Sequence, residues 1–302
     1  MFIKKDTRKI PEILVDEEDQ RDRLLLARRV SELKGSTKGL FHESHRSAFK
    51  NLVYLSLYGN RLTDITGISI LKNSPLEELN LGWNKLTTLP EEFSELQQVA
   101  TLKSVWLDDN QLSSIPGPLF SLQGIAHLRL SGNQIKALPD KIAQWTGLET
   151  FACDNNELEE LPASIGKLTS LKALVLRGNA LKRLPDEMRM LKNLEVLQCS
   201  SNKLEELPDV FGGLPSLKQL FGGSNAVHAV PHSLAMLPSS VEISLVHNDI
   251  ATLDPDVASR WLDEEGKPKS NIKLKGNKCL RGTRGLSATS PSPQKKVRRV
   301  SP

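Results

Sequence analysis

The 302 residues carry 40 Lys or Arg against 36 Asp or Glu, a formal charge of +4, and are 38% hydrophobic but only 5% aromatic. That length holds one large or two average domains, and a core so poor in rings must be aliphatic. Six of the basic residues (Arg281, Arg284, Lys295, Lys296, Arg298, Arg299) follow position 280 with no acid among them; removing them leaves −2, which argues against a nucleic-acid-binding body.

Three widely spaced thiols, Cys153, Cys199 and Cys279, do not make a disulfide framework. No Asn-x-Ser/Thr acceptor occurs, and Met1 to Ile10 is too charged for a signal peptide. No apolar run reaches the roughly 18 residues of a membrane span, so no membrane insertion is expected. These features lead us to expect a cytoplasmic chain, with the nucleus as a further location.

Residues 1–50 read as an N-terminal capping region with a helix near 16–34. Asp16, Glu17, Glu18 and Asp19 gather where a helix would begin. Leu24, Leu25, Leu26, Val30 and Leu33 form an apolar stripe; Arg28, Arg29 and Lys34 lie toward the far end, and Gly35 stops it. That charge order suits the helix dipole. Such a helix either caps the open end of a core or offers an amphipathic face to a partner.

Residues 51–280 repeat. Asparagines recur at Asn60, Asn84, Asn110, Asn133, Asn156, Asn179, Asn202, Asn225, Asn248 and Asn277, in steps of 24, 26, six of 23, and 29. Around Asn179 the frame is Leu171, Leu174, Leu176, Leu181 and Leu184-Pro185; around Asn110 it is Leu102, Val105, Leu107, Leu112 and Ile115-Pro116. Leu174 and Leu176 are two apart, so both point to one face of a short strand. Stacked strands make a parallel sheet with that face inward. The opposite segment of each repeat closes the core with two further columns, one through Ile142, Ile165, Met188, Phe211 and Leu234, the other through Trp145, Leu168, Leu191, Leu214 and Leu237. An Asn at the strand exit can bond the backbone of its own and neighbouring turns, giving a ladder. The Leu-Pro pair after it starts an extended return that needs no ladder N–H.

The frame L-x-x-L-x-L-x-x-N-x-L-x-x-L-P-x-x-[IFML]-x-x-L resembles the 23-residue intracellular leucine-rich repeats, a group that includes Ras-group and Scribble-like scaffold proteins, over roughly Leu52 to Leu280. The resemblance implies an α/β, right-handed solenoid of about ten repeats with a parallel concave sheet. It also implies a non-catalytic scaffold or adaptor that binds a protein partner. Regulation of a phosphatase or small GTPase pathway, or a structural place in a cytoskeletal or ciliary assembly, are the alternatives.

No chemistry stands against that reading. Gly166-Lys167 is followed by Leu168, and position 161 is Leu161, so a nucleotide-binding loop fails. His228 and His232, and His42 and His45, have possible ligand spacing, but no acidic or Cys cluster joins them in sequence; no metal and no cofactor are expected. Cys153 and Cys199 fall on inward strand positions and read as core thiols. Positions flanking the inward pair face the concave side. There Tyr54, Tyr58, Trp83 and Trp106 bring both tyrosines and two of four tryptophans into repeats one to three, beside Asp108 and Asp109. Arg129, Arg177 and Phe221 come further along the same face. Tyr, Trp and Arg are enriched in binding hot spots, so these nine residues are the candidate partner site of a chain expected to be monomeric on its own.

Residues 281–302 read as a disordered basic Ser/Pro tail. Lys295-Lys296-Val297-Arg298 has the form of a nuclear-import signal. Ser290, Ser292 and Ser301 each precede Pro, and Ser301 also follows two arginines, so all three are candidate phosphorylation sites.

Overall fold

The computed structural model describes residues 22–28, 37 and 39–280. Among them runs one parallel sheet of 11 strands in unbroken chain order. The strands are β1 (Arg23–Leu25), β2 (Tyr54–Ser56), β3 (Glu78–Asn80), β4 (Ser104–Trp106), β5 (His127–Arg129) and β6 (Thr150–Ala152), then β7 (Ala173–Val175), β8 (Val196–Gln198), β9 (Gln219–Phe221), β10 (Glu242–Ser244) and β11 (Ile272–Lys273). Each is short because only the central residue of the triplet points inward before the chain must turn. The register superimposes those residues: Leu174 pairs with Phe151 on one side and Leu197 on the other. Leu55, Leu79, Val105, Leu128 and Leu220 hold the same place and are buried.

The return segments are 3-10 turns. Pro90, Pro116, Pro139, Pro162, Pro185 and Pro231 each stand at the N-cap of one, with φ between −59° and −77°. Proline presets that angle and lacks the N–H that would go unpaired there. Repeat length maps onto these turns. The turns Asp140–Gln144 and Ala163–Lys167 in 23-residue repeats have five residues. The turn Ile68–Asn73, in the 24-residue step, has six, and Glu91–Gln98, in the 26-residue step, has eight. The three added residues are about one turn of a 3-10 helix, so the extra length is absorbed on the convex side without shifting the sheet. The 29-residue step instead holds α1 (Pro255–Trp261), capped by the Asp254 side chain, and a bridge between Leu262 and Pro268. Both convex columns are buried, and Trp145 stacks on Phe120 with ring centroids 4.9 Å apart.

The front of the stack differs from expectation. Residues 23–25 are a strand, not part of a helix near 16–34: Leu24 registers on Leu55, and Leu24 and Leu26 are both buried. Leu24-Leu25-Leu26 is apolar at every position, so it satisfies a helical stripe and a strand pair equally; burial against β2 decides in favour of the strand. The 3-10 turn Glu43–Phe49 then closes this eleventh coil, with Phe49 edge-on to Phe41 at 5.8 Å. Residues 16–21 and 29–34 of the expected helix, and the tail with Ser290, Ser292 and Ser301, lie outside the described residues.

Candidate functional site

The sheet's concave face is built on the asparagines beneath its rim. Asn110 shows the pattern: its Nδ2 donates to the carbonyls of Leu107 in its own repeat and Leu81 in the preceding one, each at 3.1 Å, and its Oδ1 accepts the Leu86 N–H at 3.0 Å. The same pair of carbonyl bonds is made by Asn84, Asn133, Asn156, Asn179, Asn202, Asn225, Asn248 and Asn277, and Asn60 donates to Leu57 and Leu26. Asn179, Asn202 and Asn225 are half-buried, the others buried.

The residue before each asparagine has positive φ in every coil. Four non-asparagine examples are Gly59 (70°), Trp83 (54°), Asp109 (51°) and Gly132 (67°). Glycine takes that conformation freely, and a bulky side chain is an outlier there. Side chains in this column lean onto the next coil: Asp109 Oδ1 lies 2.5 Å from where a Cβ of Gly132 would sit, so glycine there makes room for the carboxylate.

The candidate residues separate into groups. Tyr58 and Trp83 form one pair, with ring centroids 6.1 Å apart; Trp83 is 56% exposed. Tyr54 and Trp106 form another, edge-on at 6.5 Å. Tyr54, however, is only 9% exposed, and the Arg23 guanidinium lies 4.4 Å from its ring centroid. It is therefore a floor for Trp106 and Arg23 rather than a contact residue. Asp108 pairs with Arg129 at 2.7 Å and accepts the Ser131 N–H at 3.0 Å. Burial raises the Asp108 carboxyl above its ordinary value, and the nearby Arg129 cation only partly offsets this. Asp109 is exposed and has no ion pair among the described residues. Arg177 is exposed on the rim of the sixth repeat, and Phe221 is half-buried on β9 between Gln198 and Ser244. Five strand spacings, roughly 24 Å, separate Phe221 from Trp106, so neither Phe221 nor Arg177 joins the aromatic cluster.

Arg23 was not legible as a site residue, because nothing in the sequence marked β1 as a strand. The positive-φ column was readable from the glycines before Asn60, Asn133, Asn179 and Asn277. One further juxtaposition differs from expectation: the long ninth step carries Asp254 and Asp256 to 3.9 and 3.8 Å from His232 Nδ1. All three groups are exposed; Asp254 caps the seven-residue helix and Asp256 lies in its first turn. His228 Nδ1 instead lies 3.2 Å from the Glu205 carbonyl. Cys153 and Cys199 are buried, and burial pushes both thiols up, Cys199 to about 12, which leaves them without thiolate character.

Among known proteins, a family model described as leucine rich repeat matches residues 50–103 and 169–227. Keratocan of Danio rerio is 37% identical over 95 residues, 31% of this chain and 26% of that protein. An adenylate cyclase of Podospora anserina is 34% identical over 98 residues, which span 32% of this chain and 4% of that protein. The chain thus spans about a quarter or less of these two relatives. A solved leucine-rich-repeat protein of Leptospira interrogans superposes with a TM-score of 0.67 at 26% identity, covering 91% of this chain and 77% of its own. A repeated Leu-x-Leu-x-x-Asn frame, a parallel sheet in strict chain order and these matches agree: the chain carries leucine-rich repeats folded as an open α/β solenoid.

Proposed function

We propose that this protein is a non-catalytic interaction scaffold that holds a protein partner on the concave face and rim of its first three repeats. The observation that carries this reading is Trp83. A large, 56% exposed ring is held at φ 54° beside Tyr58, at a position where four other coils use glycine and the rest use the smaller Asp109, Asn155, Ser201, Ser224 and His247. A bulky residue in the left-handed region costs about 1–2 kcal/mol, so folding alone favours another residue there. Strain of this kind concentrates at functional sites, and exposed tryptophan is a hot-spot residue. Free buried thiols at Cys153 and Cys199 support a reducing compartment, the cytoplasm or the nucleus, as the place of action.

The test is affinity capture with the full chain and with Trp83→Gly/Trp106→Ala. Glycine suits φ 54°, so the variant should melt no lower than Trp83→Ala/Trp106→Ala while losing the captured partner. Retention of every partner by both variants would move the site off this face. A phosphatase or small GTPase lost from the variant would define a regulatory role, and cytoskeletal proteins lost from it a structural one.

A further inference from the structure

We infer that the rim formed by Tyr58, Trp83 and Asp109 receives a cationic side chain, arginine above lysine, from a basic segment of the partner. The inference rests on the partner site proposed above and names what that site recognises.

Three observations converge. First, aromatic faces and a free carboxylate sit on adjacent coils. Trp83 N–H donates to the Asp108 carbonyl at 2.8 Å, which places the Trp83 and Asp109 backbones side by side. Strands in a sheet lie about 4.8 Å apart, so one long cationic side chain can span both groups. Second, the local acids are unequal. Asp108 is already neutralised by Arg129, whereas Asp109 has no cation among the described residues. Two coils further, Asp154 accepts from Ser131 Oγ and from Asn155 Nδ2 at 2.9 Å, and it too has no ion pair there. Third, the same face shows the chemistry once: the Arg23 guanidinium lies over Tyr54 at 4.4 Å. Guanidinium stacks on aromatic faces and forks onto carboxylates, which a hydrated ammonium does less well.

Charge along the rim bounds the site. Arg28 precedes it, with its stem over Gly59, and Arg177 comes after it in the sixth repeat. Between these two cations the rim runs from aromatic to acidic. An extended basic segment lying from Tyr58 toward Asp154 meets attraction at the rings, at Asp109 and at Asp154, passes the neutral Asp108–Arg129 pair, and meets repulsion at both ends.

The probe is the peptide acetyl-(Gly-Arg)4-amide, with its citrulline counterpart as the uncharged isostere, added to the full chain labelled with 15N. The Trp83 indole N–H signal, assigned with Trp83→Phe, reports the rim. The arginine peptide should shift it saturably and the citrulline peptide should not. Asp109→Asn should weaken the arginine peptide about three-fold or more, as expected for an exposed cation–π and carboxylate site. Glu264→Gln, at the far end of the stack, should leave it unchanged. An unmoved Trp83 signal, an equal response to citrulline, or full affinity in Asp109→Asn would overturn the inference. So would a Trp83 signal already displaced in the untreated chain and restored by changing Lys295, Lys296, Arg298 and Arg299 to Ala, which would assign the rim to the chain's own tail. If any of these occurs while Trp83→Gly/Trp106→Ala still loses its captured partner, the concave site stands and only its cationic specificity falls.

Discussion

Asparagine is the residue this architecture cannot exchange, because one side chain serves two coils. Asn156 Nδ2 donates to Leu130 O at 2.9 Å and to Cys153 O at 3.2 Å, and its Oδ1 accepts the Ile135 N–H at 3.0 Å. The two carbonyls directly follow β5 and β6, and the Ile135 N–H lies on the turn beyond Asn133, all outside the strands. Removing the amide leaves them buried and unpaired, at about 1–3 kcal/mol per group. We predict that Asn156→Ala lowers the thermal midpoint markedly. Asn179→Ala should do so less, because Asn179 is half-buried and water can replace part of its bonding. Equal melts for Asn156→Ala and wild type would contradict the two-coil role.

The convex turns pack backbone to backbone, which sets a limit on side-chain size at the element scale. The turn Ala163–Lys167 approaches Asp186–Met190 so closely that a Cβ on Gly166 would sit 2.5 Å from the Glu187 carbonyl oxygen. Neither backbone can yield without tilting a coil. Gly166→Ala is predicted to destabilise by about 1–3 kcal/mol, the range for overpacking a tight core. Chemical denaturation with an unchanged slope and a lower midpoint is the expected result; an unchanged midpoint would show that the coils separate freely. The alternating pairs Glu149–Lys172 at 2.8 Å and Glu195–Lys218 at 2.6 Å join coils on the other side of the strand, but they are too exposed to matter much.

At the scale of the molecule, coils contact their neighbours and stability is close to a sum over coils and interfaces. A whole repeat should therefore be removable if the frame is kept. Excising residues 157–179 joins Asn156 to Ala180, one 23-residue period on. We expect a folded chain with the same circular-dichroism shape and a cooperative melt at somewhat lower temperature. Excising residues 157–176 instead breaks the phase between Asn and the inward Leu pair, and should leave the later coils unable to stack. Similar melts for the two deletions would mean that phase does not govern assembly.

The repeat was legible in the residues because it is local chemistry. Two apolar residues spaced by two, an Asn three later and an apolar-Pro pair state where a coil goes inward, turns and returns; the Asn recurs ten times and the Pro pair follows it in seven of those repeats. Periodicity also placed Tyr58, Trp83 and Trp106 near one end of one face. What it could not say depends on contacts between coils. Arg23–Leu25 became a strand, with Leu24 and then Leu26 buried, only because β2 offered an open edge and an apolar surface. Tyr54 was withdrawn from the surface by Arg23 and Trp106, and Asp108 by Arg129, each a neighbour across the sheet rather than along the chain. Which carboxylate stays free beside an exposed tryptophan is likewise decided by packing, since burial and pairing are properties of the stack and not of any single repeat.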